Sequence, residues 1–529
     1  MKSRFLTLSA SQFNTVFLAL WVVFSIFSKV QAQADCGVVT GISYPVDRSV
    51  FQLVQDFGVP SARHQGRYHT GEDYYGGRGG SLGMPVAAVA DGRVTYSAPT
   101  GWGRDGGVVI LQHTFPDGSV AYSMYGHMMS TDVYPFPERF ACVKAGDIVG
   151  AVGNVRPAPH LHFEIRISNG DTPGAGYTPE VPTALGSLQA TKFITDWQAW
   201  FNPAHRWHLQ LPDDTRPTAP PLLLSDGSML VLTSDRVRYA SSDGRVLWRI
   251  ILPAPAAALT TYNGSPVLIY RDGAMQIINM DATLGESWLT GVPLDSPPLI
   301  VGDALLFHTP DNRLAAIGAD RRSVLWQLEN VPPFTRSAIT PNLIGLMTTD
   351  GFLTTISTQG ALISKTPLLG DGLVTAAPDG SLWLYSQNSL TQIAADGTLT
   401  PIIDNVVGDA VTSAAAGSPD GTRYILAGGD VPTLMATDAA GTVLWQFAVE
   451  GASGRAQLIP RDGQLLLLTS GGDIMTVQAA SGAVCSRLAI YGDRRSKLWS
   501  DLGADGMLRV GLADQIIGLD WKTLQGGCV

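Results

Sequence analysis

The chain is short of charge. Only 15% of its 529 residues are Asp, Glu, Lys or Arg while 45% are apolar, a balance that excludes extended disorder. Positive charge is the scarcer sign. Thirty-five Lys and Arg against 45 Asp and Glu leave a formal net charge of −10, so the basic footprint of a general nucleic-acid binder is missing. Cysteine is sparse too: Cys36, Cys142, Cys485 and Cys528 are all there is. No two stand at C-x-x-C spacing, which argues against a thiolate zinc site or a thioredoxin-like motif. Helical periodicity is hard to find in the first half. Turn chemistry is abundant instead, with 58 Gly and 33 Pro, as in chains built of short strands. The length exceeds one ordinary core, so two or more domains are expected.

The N-terminus carries Lys2 and Arg4, an apolar run from Val16 to Phe27, and then Val30-Gln31-Ala32-Gln33-Ala34. A basic start, a short apolar segment and a small-x-small site read as a secretory signal over residues 1–34, cleaved after Ala34 or Ala32. The run is short for a membrane span; an uncleaved anchor is the alternative. Asp35 stands before Cys36 where a lipoprotein signal wants a small residue, so lipidation of Cys36 is not expected. Export favours disulfides. Four cysteines allow three pairings, and position along the chain favours Cys36–Cys142 and Cys485–Cys528, one in each half.

In the first half, Pro85–Ala90, Val108–His113, Val120–Tyr125 and Asp147–Gly153 read as strands bounded by glycine or Asp-Gly turns, which predicts an antiparallel β domain. Its centre is Pro159-His160-Leu161-His162-Phe163-Glu164-Ile165. On a strand, residues two apart share a face, so His160 and His162 look one way while Leu161 and Phe163 look into a core. Converging imidazoles suit a metal or a proton relay; a pair of exposed strand histidines is the bland alternative. Candidate partners lie upstream. His69 and Asp73 are four apart, a spacing that keeps both on one strand face or on one face of a helical turn, and His127 follows Tyr125-Gly126.

These stretches, in this order, resemble the M23 family of LytM/lysostaphin-type zinc metallopeptidases. The resemblance runs from about Asp56 to Arg166. It includes His69-x-x-x-Asp73, Gly83-Met84-Pro85-Val86, Asp91-Gly92-x-Val94, Tyr125-Gly126-His127, Gly146-Asp147-x-Val149-Gly150 and His160-Leu161-His162-Phe163-Glu164. It implies His69, Asp73 and His162 as Zn²⁺ ligands and His127 and His160 as the catalytic pair beside them. Two neutral imidazoles and one carboxylate leave zinc a net positive charge and an open position, which suits amide hydrolysis at neutral pH. The loop Tyr74–Gly83 is longer than is usual in the family, and Gly153–Pro159 replaces its common Ser/Thr-Gly-Pro turn. Both departures concern the groove walls and touch no ligand. Glu164 reads either as a partner of a ligand or as a solvated carboxylate, Tyr125 as core or groove wall, His113 as a structural histidine, and His64 as facing solvent from a loop.

Residues 184–202 hold the one expected helix, with Leu188, Phe193, Ile194, Trp197 and Trp200 at helical spacing. Beyond it the chain repeats. Val246-Leu247-Trp248 recurs at Val324-Leu325-Trp326 and Val443-Leu444-Trp445, with Asp-Gly turns between copies. A period of about 40 residues with about four short strands predicts a β-propeller of about eight blades, or seven. The repeats resemble the PQQ-like propeller family, which holds quinoprotein dehydrogenases and non-enzymatic scaffolds. With no vicinal cysteine pair and no quinone signature, the tryptophans read as packing between blades. The last repeat lacks most of an outer strand, and Arg206–Leu211 has the missing pattern, so residues 206–211 are expected to close the ring.

The expectation is thus an all-β chain of two domains: an antiparallel β LytM-type peptidase domain at 37–182, a helical linker at 183–204 and a PQQ-like propeller at 205–529. Its cofactor would be Zn²⁺, its substrate the peptide part of peptidoglycan and its location periplasmic or extracellular. A protein partner on the propeller is allowed for; nucleic acid, and membrane after signal cleavage, are not expected as partners. The competing reading is a non-catalytic cell-wall-binding or hydrolase-activating protein.

Overall fold

The computed structural model describes residues 36–102, 106–212, 215–368, 372–386, 389–403, 412–428, 431–449, 455–492, 497–526 and 528. The expected signal segment lies outside them. Two compact units divide between Ile194 and Thr195. Among the described residues, no helix is long and apolar enough to cross a membrane.

The first unit is built on a ten-stranded sheet. Its main path runs Gln52–Gln55, Glu72–Tyr75, Leu161–Arg166, Val120–Met129, Gly107–Thr114, Gly92–Ala98 and Cys142–Val143, with every pairing antiparallel. Pro85–Ala87, Ile148–Val152 and Ser187–Leu188 join it at the side. A separate three-stranded sheet joins Pro60–Ser61, Arg67–His69 and Tyr177–Thr178. Leu161–Arg166 lies between two neighbours and is buried at all six positions, so its alternation sorts two buried faces rather than core from water. Leu161, Phe163 and Ile165 fill the apolar side. The Cys36–Cys142 disulfide ties the start of the described chain to this sheet.

The expected helix at 184–202 is shorter, Ala190–Phe201. Pro182–Leu185 forms a single 3₁₀ turn instead, and Leu188 pairs with Ile165 as a strand. A backbone group offered to the sheet edge there overrides helical spacing. Glu72 holds the start of the helix, accepting from the Thr191 amide at 3.0 Å and from its hydroxyl at 2.7 Å. Such capping satisfies amides that the first turn leaves unpaired.

The second unit consists of eight four-stranded antiparallel sheets. Each shares an apolar cluster with the next. Leu230 and Leu268 meet in one, Ile269 and Phe307 in the next, and so on to Leu466 and Leu508. The eighth cluster packs Ile516 of the last sheet against Met229 and Val231 of the first, so the ring is closed. The last sheet takes Trp499–Leu502, Met507–Leu512 and Gln515–Asp520 from the C-terminus and its outer strand, His205–Gln210, from the start of the unit.

Repeat tryptophans work as latches between blades. The indole N–H of Trp326 donates to Thr358 O and that of Trp445 to Ala479 O, each in the outer turn of the following blade. Trp207 does the same packing across the seam, over Gly244. The turn glycines Gly244, Gly360 and Gly482 have φ of 80°, 88° and 75°, and a Cβ on any of them would meet the indole at 2.4–2.7 Å. At the joint before the last blade the turn is absent, because the fourth strand comes from the other end of the chain. There a short helix, Trp521–Leu524, and the Cys485–Cys528 disulfide occupy the place of the latch.

Candidate active site

Strand pairing sets His162 directly across from Asp73 on one side and from Gly126 on the other. His69 arrives from the small sheet. Contrary to the single strand face or helical turn expected for His69-x-x-x-Asp73, His69 ends one strand and Asp73 is the second residue of the next, the two strands being joined through Thr70-Gly71. That link passes so close over the central strand that a Cβ at Gly71 would lie 2.4 Å from Phe163 O. That approach admits only glycine.

Three side-chain atoms meet at the centre. His69 Nε2 lies 3.0 Å from His162 Nδ1 and 3.2 Å from Asp73 Oδ1, and His162 Nδ1 lies 2.9 Å from Asp73 Oδ1. All three residues are buried. The outer nitrogens are already engaged: His69 Nδ1 donates to Asp56 O at 3.1 Å, and His162 Nε2 to Glu164 Oε1 at 2.8 Å. These bonds fix each neutral ring with its lone pair inward. Three buried acceptors then face one another, an arrangement that calls for a cation or for bound protons. The donor set of two imidazoles and a carboxylate fits zinc with an open position. It is the one such His, Cys, Asp or Glu group among the described residues.

Electrostatics reflect the same convergence. Burial opposes ionisation of Asp73, but hydrogen bonds from His162 and His69 outweigh it and hold the carboxyl far below the usual range. Burial would lower His162, yet Asp73 and Glu164 lift it to about 9. Glu164 is not a solvated carboxylate. It is fully buried and held down at about 2, the His162 N–H and the Arg166 guanidinium overcoming the burial that would raise it. Arg166 donates to Glu164 Oε2 at 2.5 Å and to the carbonyls of Thr172 and Pro173.

His127 and His160 face the same space. Their ring centroids are 4.6 Å apart. His160 Nδ1 donates to Ala158 O at 2.8 Å, and its Nε2 stands 3.5 Å from Asp73 Oδ2. His127 sits in a bulge. Val109 pairs with Tyr125 and Gly107 with Met128, so Gly126 and His127 together oppose one residue. Its φ is 58°, a conformation uncommon outside glycine, and bulges of this kind re-aim side chains.

The groove over this centre has a volume of about 930 Å³. Several of its walls are residues that sequence reading missed. Trp102 packs 4.6 Å from the His127 ring and 5.0 Å from the His162 ring, and donates to Gly174 O. Its only sequence signal is an aromatic between glycines. Tyr177 packs 5.1 Å from His69, and His64, expected to face solvent, stacks on Tyr177 at 3.7 Å. Tyr125 is core, accepting from the Val89 amide at 2.9 Å. His113 is structural, bonded to Asp91 O and the Ser123 hydroxyl. Of the longer loop Tyr74–Gly83, Tyr75 is among the described residues that line the groove.

Residues 67–173 match the family model described as Peptidase family M23, and the first unit carries that domain. Residues 199–377 match the PQQ-like repeat model described as Outer membrane protein assembly factor BamB. Among curated proteins the chain is similar to the Peptidoglycan DD-endopeptidase ShyB of Vibrio cholerae, at 28% identity over 158 residues. That match covers 28% of this chain and 33% of the relative, so the chain spans about a third of its length. Similar solved structures include BamB from Moraxella catarrhalis, at 14% identity, a TM-score of 0.44, 60% of this chain and 99% of that one. Another is Sqt1 of Saccharomyces cerevisiae, at 11%, 0.47, 60% and 98%.

Proposed function

We propose that this protein is an exported zinc endopeptidase acting on the peptide part of bacterial peptidoglycan. Catalysis belongs to residues 37–182, and the propeller at 205–529 serves as a docking platform. The observation that carries the reading is the convergence of three acceptor atoms from His69, Asp73 and His162 beside a second histidine pair on the same groove. Those three residues would hold the zinc. When bound, the ion supplies Lewis-acid polarisation of an amide carbonyl and a nucleophile at neutral pH.

The chain's own residues do the rest. His160 has its Nδ1–H committed to Ala158 O, so in the neutral ring Nε2 is the atom that takes a proton from the attacking water. Once protonated, that same Nε2–H donates to the leaving amine or to the developing oxyanion. His127 supplies a second imidazole within 4.6 Å of the first. Glu164 and Arg166 keep His162 in one tautomer and orientation. Trp102 and Tyr177 give the peptide flat apolar walls. The disulfides suit an oxidising compartment, and the substrate class follows the M23 match and the curated relative's name.

The test is digestion of purified cell-wall sacculi with and without chelator. Release of soluble fragments that stops with chelator and returns with added zinc is the expected result. Co-sedimentation with sacculi and no release at any zinc level would favour the non-catalytic binding reading instead.

A further inference from the structure

The groove is cationic although the chain is acidic. Arg63, Arg67 and Arg156 line it, and among the described residues Asp73 is the only lining carboxylate. Asp73 is engaged by His69 and His162. None of the three arginines makes an ion pair with a carboxylate among the described residues, whereas Arg166, Arg236 and Arg245 elsewhere do. In a chain of formal net charge −10, three unpaired guanidinium groups around one groove are a local reversal of sign.

They come from two separate segments of the lining. Arg67 stands two residues before His69 on the same strand. Arg63 belongs to the turn Ala62–His64 and lies near enough to act electrostatically on the Tyr177 hydroxyl. Arg156 comes from a different loop, four residues before His160. A guanidinium presents a planar fork of donors that matches a carboxylate in two parallel bonds. A neutral, glycine-rich peptide would leave all three forks facing water. A peptide with ionised carboxylates near the scissile amide would fill them.

We propose that this groove selects peptides bearing free carboxylates on either side of the bond to be cut, and that Arg63, Arg67 and Arg156 are the residues that read them. The proposal rests on the peptidase reading for turnover, but not for binding. The probe is a cross-linked wall peptide dimer with free carboxylates, compared with the same dimer fully amidated. Binding is measured calorimetrically on the chelator-treated full chain, and kcat/KM on the zinc-loaded chain. The free-acid dimer is expected to bind about tenfold more tightly at low ionic strength, as summed over three exposed charge pairs, and the advantage should shrink with salt. In the triple variant Arg63→Gln, Arg67→Gln, Arg156→Gln the ratio between the two dimers should fall towards one. All three side chains are exposed, so an unchanged Tm is the expected control. Equal binding of the two dimers by the parent, or a preference that survives in the triple variant, overturns the proposal. A binding preference without turnover of either dimer supports it while removing the peptidase reading.

Discussion

The two units bury polar groups in opposite ways. In the first, His69, Asp73, His162, Glu164 and Arg166 form one continuous chain of buried side chains, each oriented by the next. In the propeller, several buried polar groups are held instead by a backbone carbonyl or a single neighbouring side chain. Arg423 donates to the carbonyls of Asp438 and Ala439, and His308 contacts Asp295 and Val331 O. The first unit uses each residue once, in a network that loses its geometry if one member goes. The second repeats one apolar joint eight times. Chemistry and endurance are therefore separable here, and substitutions should sort by unit.

The largest separation is expected for the histidines. His162→Ala should abolish zinc binding and turnover together, whereas His160→Ala should keep most of the zinc and lose about 10²- to 10⁴-fold in turnover. Metal content and peptide release measured on both variants decide it; equal zinc loss would erase the distinction between holding the ion and moving the proton. Next comes the seam. Trp207 is 7% exposed at the closing strand. Trp207→Ala should destabilise the propeller by about 3–5 kcal/mol in denaturant titrations, yet leave kcat on a short soluble peptide unchanged. A matching fall in kcat would break the comparison.

Replacing Cys485 and Cys528 by Ala should lower stability by about 2–4 kcal/mol, read as a shift in the unfolding midpoint of the propeller alone. The smallest effect concerns pH. Burial, offset in part by Asp91, holds His113 at about 4, below its usual 6.5. Between those values the unfolded chain binds the extra proton, so stability falls as pH falls. From pH 7 to pH 5 His113 should account for about 2 kcal/mol of that fall. His113→Gln should flatten the slope by that amount, and an unchanged slope would mean that the ring is protonated when folded.

Sequence reading reached the site where alternation carried it. His160-Leu161-His162 was legible because a strand sorts neighbours to opposite faces, and the closing strand because Trp207 repeats the latch where the last blade lacks one. It went wrong at His69-x-x-x-Asp73, since equal spacing is compatible with a turn as well as with a strand. It missed Arg63, Arg67, Arg156, Trp102 and Tyr177, because wall residues on short strands and loops obey no period and meet only in space. In the fifth blade the outer strand reads Leu399-Thr400-Pro401, with no tryptophan to mark it. Ile403 of that strand packs on Gly441, the turn glycine of the next blade, which shows that a branched aliphatic serves the same joint.

The closing strand also fixes an order of events. The outer strand of the last blade is made near the start of the propeller and its partner at the very end; Gln210 and Asp514, bonded in the finished sheet, are 304 residues apart. At about 5–20 residues per second of synthesis, His205–Gln210 waits roughly 15–60 s for Gln515–Asp520 to exist. Until then Met229 and Val231 of the first blade lack the Ile516 they pack against in the finished ring, so the fold itself distinguishes a chain that has reached Gln515–Asp520 from one that has not.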